Sequence, residues 1–413
     1  MSVTRLERSD WLQAGPLKSL LAVLDSEGEE ARVVGGAVRN ALLGETPHEF
    51  DVATTALPEE VIRRAQGAGF KPIPTGIEHG TVTVVVHDRP FEVTTLREDV
   101  ETFGRKARVA FGRDWKKDAQ RRDFTINALS VTRDGVVHDE VGGLDDLKAR
   151  RVRFIGEASA RIAEDYLRIL RFFRFHAHYG EGALDRDGLA ACIAARSGLD
   201  SLSRERVRAE LLKLLLARHC VPVLAVMSEA GLLITLLGGV PHLASLGNLI
   251  KLEATMALEA DALRRLGALA VYVAEDADRL AVRLRLSNAE ASRLAATDGW
   301  WRMSPDMSAA ARRVALYRLR PQTYLDRSLL AWARSPEGAA DTRWRELASL
   351  PERWTAPVFP LKGADFIARG VARGPVLGQV LGRAEAAWIA ADFPDDAAAL
   401  DAIAAQAVRD AAT

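Results

Sequence analysis

"GGAVRNALLGETPHEFDVATT", residues 35–55, decides the fold of this 413-residue chain. Two glycines follow the β-like run ARVV and open a short helix, and the chain then turns into a second β-like run that carries Glu49 and Asp51. Side chains two residues apart in a strand point to the same face, so both carboxylates are predicted to project together, with Phe50 turned to the core behind them. The stretch therefore predicts a mixed α/β domain with an acidic pair on one strand.

The residues that follow this stretch continue the mixed pattern. Two apolar-rich runs within residues 80–96 predict a β-hairpin that turns at Asp88 and Arg89. Residues 57–70 predict a helix, because Pro58 falls in its first turn and glycines close its far end. Short strands and helices therefore alternate up to about residue 155.

From Glu157 onward the pattern is helical almost without interruption. Residues 164–180, EDYLRILRFFRFHAHYG, repeat apolar side chains at close to the 3.6-residue period of a helix. The predicted fold class is α+β, with a small mixed sheet in a head domain followed by an all-α neck, body and tail. The predicted boundaries are 1–155 for the head, 156–220 for the neck and 221–413 for the body and tail.

Bulk composition limits the possible settings of the protein. Lys and Arg together number 56, as do Asp and Glu, so no global charge indicates a nucleic-acid partner. Cys192 and Cys220 lack zinc-site spacing and are expected to be buried, reduced thiols. Neither a signal core nor an apolar run of about 18 residues is present, so we expect a cytoplasmic protein without a membrane span. The sequence indicates no obligate protein partner.

The acidic pair is a candidate metal site. Like charges this close repel one another unless a cation neutralises them, and oxygen ligands are the ones Mg²⁺ prefers. Glu92, in the run FEVTT, supplies a third carboxylate on a strand that could lie beside the first. Glu49 and Asp51 are therefore predicted as Mg²⁺ ligands, with Glu92 as a further catalytic residue. The alternative is a surface E-x-D next to a routine glycine turn.

Two segments are candidates for binding phosphates and ribose. Gly35 and Gly36 allow close backbone approach ahead of a helix N-terminus, and Arg39 could fork onto phosphate oxygens. The second segment is RRDFTINALSV, residues 121–131. On a helix its Asp and Asn would share a face suited to ribose hydroxyls, while its arginines would suit a triphosphate. The alternative is an N-capping Asp beside two solvated arginines. The candidates in this second segment are Arg121, Arg122, Asp123 and Asn127.

These segments, in order, resemble the motifs of a known family. GGAVRNALLG with EFD, RRDFTINAL, VHDEVGGLDDLKARRVRFIG and EDYLRILRFFRF are similar to those of class II tRNA nucleotidyltransferases, which comprise the CCA-adding enzymes and bacterial poly(A) polymerases. The resemblance is dense over residues 30–215 and looser beyond. It implies a polymerase-β-like nucleotidyltransferase head. It also implies template-independent addition or repair of the 3′-terminal CCA of tRNA from CTP and ATP, with release of pyrophosphate.

Two positions depart from the family pattern. The family has D-x-D where this chain has Glu49-Phe50-Asp51, and V-R-D where this chain has Val38-Arg39-Asn40. Glutamate keeps the charge but adds a methylene, which bears on metal preference and rate. Asn40 lacks the charge, so it is not counted among the metal ligands.

The EDYLR segment is the candidate for nucleobase recognition. Asp165 and Arg168 would be neighbours on one helix face, and the family gives this motif a templating role. A carboxylate accepts and a guanidinium donates, which matches the amino group and ring nitrogen of cytosine and adenine. Uracil and guanine present the opposite order. The alternative is an intrahelical salt bridge, with Glu164 to Arg168 as a second option.

Basic segments are candidates for contact with tRNA. Residues 96–115 carry arginines and Lys106 around Gly104 and Gly112, and in CCA-adding relatives a flexible loop here assists the switch from C to A. Further basic residues could contact the acceptor and elbow regions of tRNA. They cluster around the neck and within residues 361–378: Arg150, Arg151, Arg153, Arg161, Arg171 and Arg174, and then Lys362, Arg369 and Arg373. The segment 203–216 is given no chemistry. A poly(A) polymerase, a CC-only or A-only enzyme and a noncatalytic RNA-binding relative remain as alternatives.

Overall fold

A computed structural model describes residues 4–6, 10–13, 15–103 and 106–411, with backbone alone for 98–103 and 106–109. The chain forms two compact units, Met1–Gly238 and Gly239–Thr413, which we call the first and second units. The separate division into head, neck and body with tail stays a prediction.

The strands all belong to the first unit. They are β1 Ala31–Val34, β2 Asp51–Thr54, β3 Lys71–Gly76, β4 Thr81–Val86, β5 Arg89–Thr95, β6 Arg97–Phe103, β7 Lys106–Phe111, β8 Ser130–Thr132 and β9 Val137–His138. Within the described residues, seven of them form one sheet in the order β3-β4-β5-β2-β1-β8-β9, while β6 and β7 pair as a separate hairpin. The predicted small mixed sheet is thereby confirmed.

The middle of the sheet brings acidic side chains together. β2 and β5 are parallel, and their register sets Asp51 opposite Glu92. β1 runs antiparallel to β2 and ends at Val34, opposite Asp51, so the glycine turn after β1 begins beside the start of β2. Phe50 is buried and stacks on Trp11, with 5.1 Å between ring centroids. The core position predicted for Phe50 is confirmed.

Two local predictions for the sheet are wrong by one or two residues. β2 begins at Asp51, so Glu49 lies in the segment before the strand. The hairpin turns at His87 and Asp88, whose φ angles are 48° and 63°, whereas Arg89 already belongs to β5. A two-residue turn with positive φ at both positions matches the right-handed twist of the flanking strands, which favours this placement.

Helices occupy the rest of the first unit. They are α1 Asp10–Gln13, α2 Gly15–Leu24, α3 Gly36–Leu42, α4 Pro58–Gly67, α5 Trp115–Gln120, α6 Gly143–Lys148, α7 Ala158–Glu164, α8 Leu167–Tyr179, α9 Arg186–Ala194, α10 Arg204–Leu215, α11 Cys220–Glu229 and α12 Leu232–Leu237. Short 3₁₀ turns cover Ile77–His79, Thr125–Asn127 and Arg196–Ser201. α4 lies within the predicted range 57–70 and has Pro58 in its first turn as predicted, but it ends at Gly67.

The helix predicted over 164–180 is interrupted near its start. α7 ends at Glu164, and Asp165 is extended, with φ −157° and ψ 108°. The Asp165 side chain accepts a hydrogen bond from the Leu167 amide at 3.1 Å, at the start of α8. Asp competes with the helix for backbone amides in this way, and a periodicity count does not register that competition.

In the described residues of the second unit, all regular secondary structure is helical. Its helices are α13 Leu243–Thr255, α14 Ala262–Ala270, α15 Ala274–Arg283, α16 Asn288–Ala295, α17 Ala309–Arg334, α18 Thr342–Ala348, α19 Leu350–Arg353, α20 Gly363–Ile367, α21 Pro375–Ala390 and α22 Ala397–Arg409, with a 3₁₀ turn at Trp300–Arg302. α17 is kinked at Arg320, because Pro321 disfavours helical geometry in the residue before it. The predicted all-α character is confirmed.

A cluster of aromatic side chains joins the sheet to the neck segment. Phe124 packs against Phe154, Phe172 and Phe175, with ring centroids 4.9–6.3 Å apart. The cluster fixes α8 against the segment that carries the RRD motif. Cys192 and Cys220 are both buried, as expected. Across the described ranges, no helix has both the length and the apolar character needed to cross a bilayer.

Candidate active site

A cleft of about 600 Å³ in the first unit collects nearly all of the predicted site residues. Eleven of the twelve line it: Gly35, Gly36, Arg39, Glu49, Asp51, Arg121, Arg122, Asp123, Asn127, Asp165 and Arg168. The twelfth, Glu92, lies beside Asp51 through the register of β2 and β5. Residues from segments more than 100 positions apart thus meet in one place.

The acidic part of the cleft stands at the start of β2. Glu49, Asp51 and Glu92 are all exposed. The surrounding protein raises the pKa of Asp51, and the negative charges of Glu92 and Glu49 add to the rise, while Arg122 opposes it. A carboxylate whose neighbours make ionisation harder gains from a bound cation. In the described part of the chain, no three acidic, His or Cys side chains already converge on one point. The donor set nevertheless fits a hard divalent cation.

The glycine turn brings its backbone close to one side chain and one backbone carbonyl of the cleft. Gly35 has φ 71°, a left-handed conformation that favours glycine. A Cβ atom on Gly35 would lie 3.4 Å from an Arg122 guanidinium nitrogen and 3.7 Å from the Asn127 carbonyl oxygen. A side chain there would be strained by the backbone conformation, while its Cβ atom would only make ordinary van der Waals contact with two residues that line the cleft.

Arg39 is buried on α3, and neutral groups hold its guanidinium. Its Nε and Nη2 donate to Asn40 Oδ1 at 3.1 and 2.8 Å, and Nη2 also donates to the Tyr179 hydroxyl at 2.7 Å. Nη1 donates to Asn127 Oδ1. Burial lowers the pKa of Arg39, but an arginine remains charged at neutral pH.

Arg121 and Arg122 share one buried carboxylate. Arg121 Nε and Arg122 Nη2 donate to the two oxygens of Asp118 at 2.8 and 3.1 Å. Burial opposes the ionisation of Asp118, yet the two arginines leave its pKa lowered. Two cations on one anion leave net positive charge at the cleft wall. Asp118 was not among the predicted residues, although its spacing of three and four from the arginines is a recognisable signal.

Asp123 and Asn127 lie side by side, but not on an α-helix as predicted. A 3₁₀ turn over Thr125–Asn127 brings them together, and Asn127 Nδ2 donates to Asp123 Oδ1 at 3.0 Å. Arg171 of α8 donates to Asp123 Oδ2 at 2.6 and 2.7 Å. Burial opposes the charge of Asp123, but Arg171 and the hydrogen bonds hold its pKa below the usual range. Asp123 therefore links the RRD segment to α8.

Asp165 and Arg168 line the same cleft, but they do not form the predicted pair on one helix. Asp165 Oδ2 accepts from Arg206 of α10 at 2.6 Å. Arg168 donates to Glu164 and to the Arg161 carbonyl, the latter at 2.7 Å. The pairing of Glu164 with Arg168 that the sequence offered as a second option is therefore present. The break in the helix at Asp165 explains the difference.

Arg206 is a cleft residue that sequence reasoning missed. It lines the cleft and pairs with Asp165, 41 positions away in the chain. The sequence gives this segment no chemistry. Glu210 of the same segment has a structural role, since it pairs with Arg174 at 2.6 Å. The residue spacing within this segment does not indicate which of its arginines lies at the cleft.

Most of the basic residues proposed for tRNA contact are paired within the protein. Ion pairs join Arg150 to Glu181, Arg151 and Arg153 to Asp146, Arg161 to Glu164, Arg171 to Asp123, Arg174 to Glu210, Arg113 to Glu29 and Arg369 to Asp401. Arg105 and the side chains of Lys106 and Arg108 lie outside the described residues. Contact with tRNA by these residues stays a prediction.

The arrangement defines a class of site. Carboxylates at the start of a strand face arginines with excess positive charge, and the carboxylate of Asp165 and the guanidinium of Arg168 complete the same cleft. These groups suit a nucleoside triphosphate bound with a divalent cation. Such a site on a small mixed sheet is that of a nucleotidyltransferase head.

Comparison with known proteins agrees with this class. Residues 31–153 match the family described as "Poly A polymerase head domain", and residues 183–246 match "Probable RNA and SrmB- binding site of polymerase A". The chain is 35% identical over 384 residues to CCA tRNA nucleotidyltransferase 1, mitochondrial, of Mus musculus, covering 90% of this chain and 86% of that protein.

Bacterial relatives and solved structures extend the similarity. The CCA-adding enzyme of Limosilactobacillus fermentum is 31% identical over 385 residues, 89% of this chain and 90% of that protein. The crystal structure of the Bacillus stearothermophilus CCA-adding enzyme in complex with CTP is similar with a TM-score of 0.71 at 28% identity, covering 91% of this chain and 93% of that one. The chain belongs to the CCA tRNA nucleotidyltransferase family.

Proposed function

We propose that this protein adds or repairs the 3′-terminal CCA of tRNA, using CTP and ATP without a nucleic-acid template and releasing pyrophosphate. The observation that carries the proposal is the single cleft in which the acidic pair of the head meets Asp165 and Arg168 of the neck. Chemistry at phosphorus and recognition of the base need to be adjacent for an enzyme that selects its nucleotide by itself.

The head supplies the groups for the transfer. Glu49 and Asp51, with Glu92 beside them, would hold Mg²⁺, which neutralises triphosphate charge and favours ionisation of the attacking hydroxyl. Arg39, Arg121 and Arg122 face the cleft with unbalanced positive charge and would bind the triphosphate. The 3′ oxygen of tRNA, having lost its proton, would form a bond to the α-phosphorus. The bond between the α- and β-phosphates breaks on the opposite side, and pyrophosphate leaves. The protein contributes mainly position and charge, since no covalent enzyme intermediate is required.

The neck supplies the selection of the base. Asp165 would accept the amino hydrogen of cytosine or adenine, while Arg168 would donate to the adjacent ring nitrogen. Each must change partners to do so fully, because Asp165 holds Arg206 and Arg168 holds Glu164 in this structure. With uracil or guanine, an acceptor would face the Asp165 carboxylate and a donor would face the Arg168 guanidinium. Sites of this kind strongly reject such mismatched bases. Asp123 and Asn127 would support the ribose side of the site through their own paired network.

The remaining assignments complete the proposal. The helical region from residue 221 onward would bind the tRNA body, with the acceptor and elbow regions as the expected contacts. The names of the relatives include both mitochondrial and bacterial proteins, and for this chain a cytoplasmic location is the proposed one. The paired strands β6 and β7 occupy the segment that the family resemblance links to the switch from C to A, which favours addition of all three nucleotides over two.

An incorporation assay tests the proposal. A tRNA lacking CCA is incubated with Mg²⁺ and with CTP, ATP, UTP or GTP singly, then with CTP and ATP together, and products are resolved by single nucleotides. We expect growth by two with CTP alone and by three with both, loss of growth for Asp51→Ala, and normal growth for Glu78→Ala, an exposed acidic residue outside the cleft.

The same assay separates the alternatives. Growth that stops at two with both nucleotides identifies a CC-only enzyme, growth that starts only on a tRNA ending in CC identifies an A-only enzyme, and long A tails identify a poly(A) polymerase. Retained tRNA binding without any incorporation leaves an RNA-binding relative, an outcome for which the departures Glu49 and Asn40 would offer an explanation.

A further inference from the structure

Arg39 is a buried cation with only neutral partners around its guanidinium. Its side-chain donors reach Asn40, Asn127 and the Tyr179 hydroxyl, and the residue is 6% exposed. Among the described residues, no ion pair joins Arg39 to a carboxylate, in contrast to Arg121, Arg122 and Arg171. Its charge is therefore left for a ligand of the cleft that it lines.

Asn40 holds the guanidinium of Arg39 without forming an ion pair with it. Its side-chain oxygen accepts from both Nε and Nη2 of Arg39, as a carboxylate would, but it brings no negative charge. The contact therefore sets the direction of the guanidinium without neutralising it. A group fixed in this way depends on its neighbours for position, because a buried arginine has no solvent to replace a lost partner.

Tyr179 supplies the contact that reaches Arg39 from the neck. The Arg39 guanidinium carbon lies 3.9 Å from the centroid of the Tyr179 ring, a cation–π distance, and the hydroxyl accepts from Nη2 at 2.7 Å. Phe175, one turn earlier on α8, approaches the same guanidinium at 5.3 Å. The last turn of α8 thus covers one face of Arg39 and accepts one of its hydrogen bonds.

The other end of α8 lies at the base-recognition part of the cleft. α8 spans 13 residues, about 20 Å, and Arg168 stands in its first turn. Arg168 and Tyr179 belong to one uninterrupted helix, so a shift of the whole helix would displace both side chains. One helix therefore touches both the group proposed to read the base and the arginine proposed to bind the triphosphate.

We propose that Tyr179 is a positioning residue that holds Arg39 in place to bind the triphosphate. The affinity for the phosphates then depends on α8, the helix that also carries Arg168 of the base-recognition site. The inference rests on the proposed function, because it takes Arg39 as a triphosphate ligand. Tyr179 itself does not line the cleft and acts through Arg39.

The test compares a ligand that has phosphates with one that has none. Binding of CTP and of cytidine is titrated by NMR for the wild-type protein, Tyr179→Phe and Tyr179→Leu. Tyr179→Leu is expected to weaken CTP binding roughly tenfold and to leave cytidine binding unchanged, because it removes a hydrogen bond to a charged group and the stacked ring. Tyr179→Phe keeps the ring and should lose only a few-fold. Tyr317→Phe, which removes a phenol–carboxylate hydrogen bond in the second unit, is the matched control.

A double variant shows whether the effect passes through Arg39. In an Arg39→Met background, Tyr179→Leu should cause no further loss of CTP affinity, since contacts in one network are not additive. An equal loss of CTP and cytidine binding, an additive loss in the double variant, or no loss at all would overturn the inference. If Tyr179→Leu does not fold, Tyr179→Phe carries the test by the same comparison. A wild-type protein that binds CTP no better than cytidine would instead reject the proposed function.

Discussion

Removal of the Arg206 side chain tests whether the neck contact that sequence reasoning missed matters for base selection. In Arg206→Gln, Asp165 Oδ2 loses the guanidinium that lies 2.6 Å away. Asp165 is then held by the Leu167 amide through its other oxygen. We expect the catalytic efficiency with CTP and with ATP to fall together, because both bases present their amino group to Asp165 in the proposed site.

The size of the effect follows from the exposure of the pair. A hydrogen bond to a charged group contributes about 1.5–3 kcal/mol. The two side chains are 28% and 21% exposed, so solvent screening reduces the contribution to roughly 1–2 kcal/mol. This free energy corresponds to a loss in kcat/KM of roughly 5- to 30-fold. UTP should lose less, since it does not use the Asp165 contact, so the preference for CTP over UTP should narrow.

The assay is incorporation into tRNA with each nucleotide separately, together with tRNA affinity and the midpoint of unfolding. Arg133→Gln is the control, because it removes an ion pair with Asp25, 3.0 Å away, that lies outside the cleft and outside the segments proposed to contact tRNA. An unchanged kcat/KM for CTP and ATP in Arg206→Gln would refute the reasoning. A loss that appears only in tRNA affinity, or that Arg133→Gln reproduces, would refute it as well.

Three further predictions follow from the geometry. The pKa of Asp51 is raised, so on acidification activity should be lost at a pH above the ordinary value of about 3.9, as the carboxyl takes up a proton. In pH–rate profiles, the pH at which activity is lost should move lower with more Mg²⁺ and higher in Arg122→Gln. A profile that responds to neither change would contradict the metal assignment. Arg171→Met leaves buried Asp123 without its cation and should lower the free energy of unfolding at pH 7 by about 2–4 kcal/mol. Because the native pKa of Asp123 is lowered, the stabilisation is present above about pH 4 and is lost as pH falls further. Denaturant titrations should therefore show the difference in unfolding free energy between wild type and Arg171→Met becoming smaller in acid. A difference that stays constant with pH would count against the ion pair. Gly143→Ala would place a Cβ 2.3 Å from the Thr125 carbonyl oxygen and should lower the free energy of unfolding by more than about 2 kcal/mol, measured by thermal or denaturant unfolding. Gly67→Ala is the control, because its Cβ position has open space around it and the change should be close to neutral.

The parts of the fold that sequence predicted well are those with a local signal. Apolar periodicity marked the strands around β1 and β5, and the glycines before α3 marked the turn that opens the cleft. The parallel register of β2 and β5 then placed Glu92 beside Asp51, as expected for strands that could lie next to each other. Residue type and order were sufficient for these features because each depends on neighbours in the chain.

The contacts that sequence did not predict are long-range or depend on one side chain. Asp165 breaks a helix that periodicity continues, because its carboxylate takes a backbone amide. Arg206 and Tyr179 reach their partners across 41 and 140 positions, and no spacing rule connects residues so far apart. Asn127 and Asp123 were expected together on a helix; they are together, but through a 3₁₀ turn. The sequence thus predicted that these two side chains lie close together, but not the backbone conformation that brings them together.

The most direct test of the account is a crystal structure of the protein with CTP and Mg²⁺. The account predicts a cation held by Glu49 and Asp51, the triphosphate against Arg39, and the cytosine amino group directed at Asp165. A triphosphate bound away from these carboxylates, or a cytosine that leaves Asp165 and Arg168 untouched, would contradict the claim that one cleft serves both transfer and base selection.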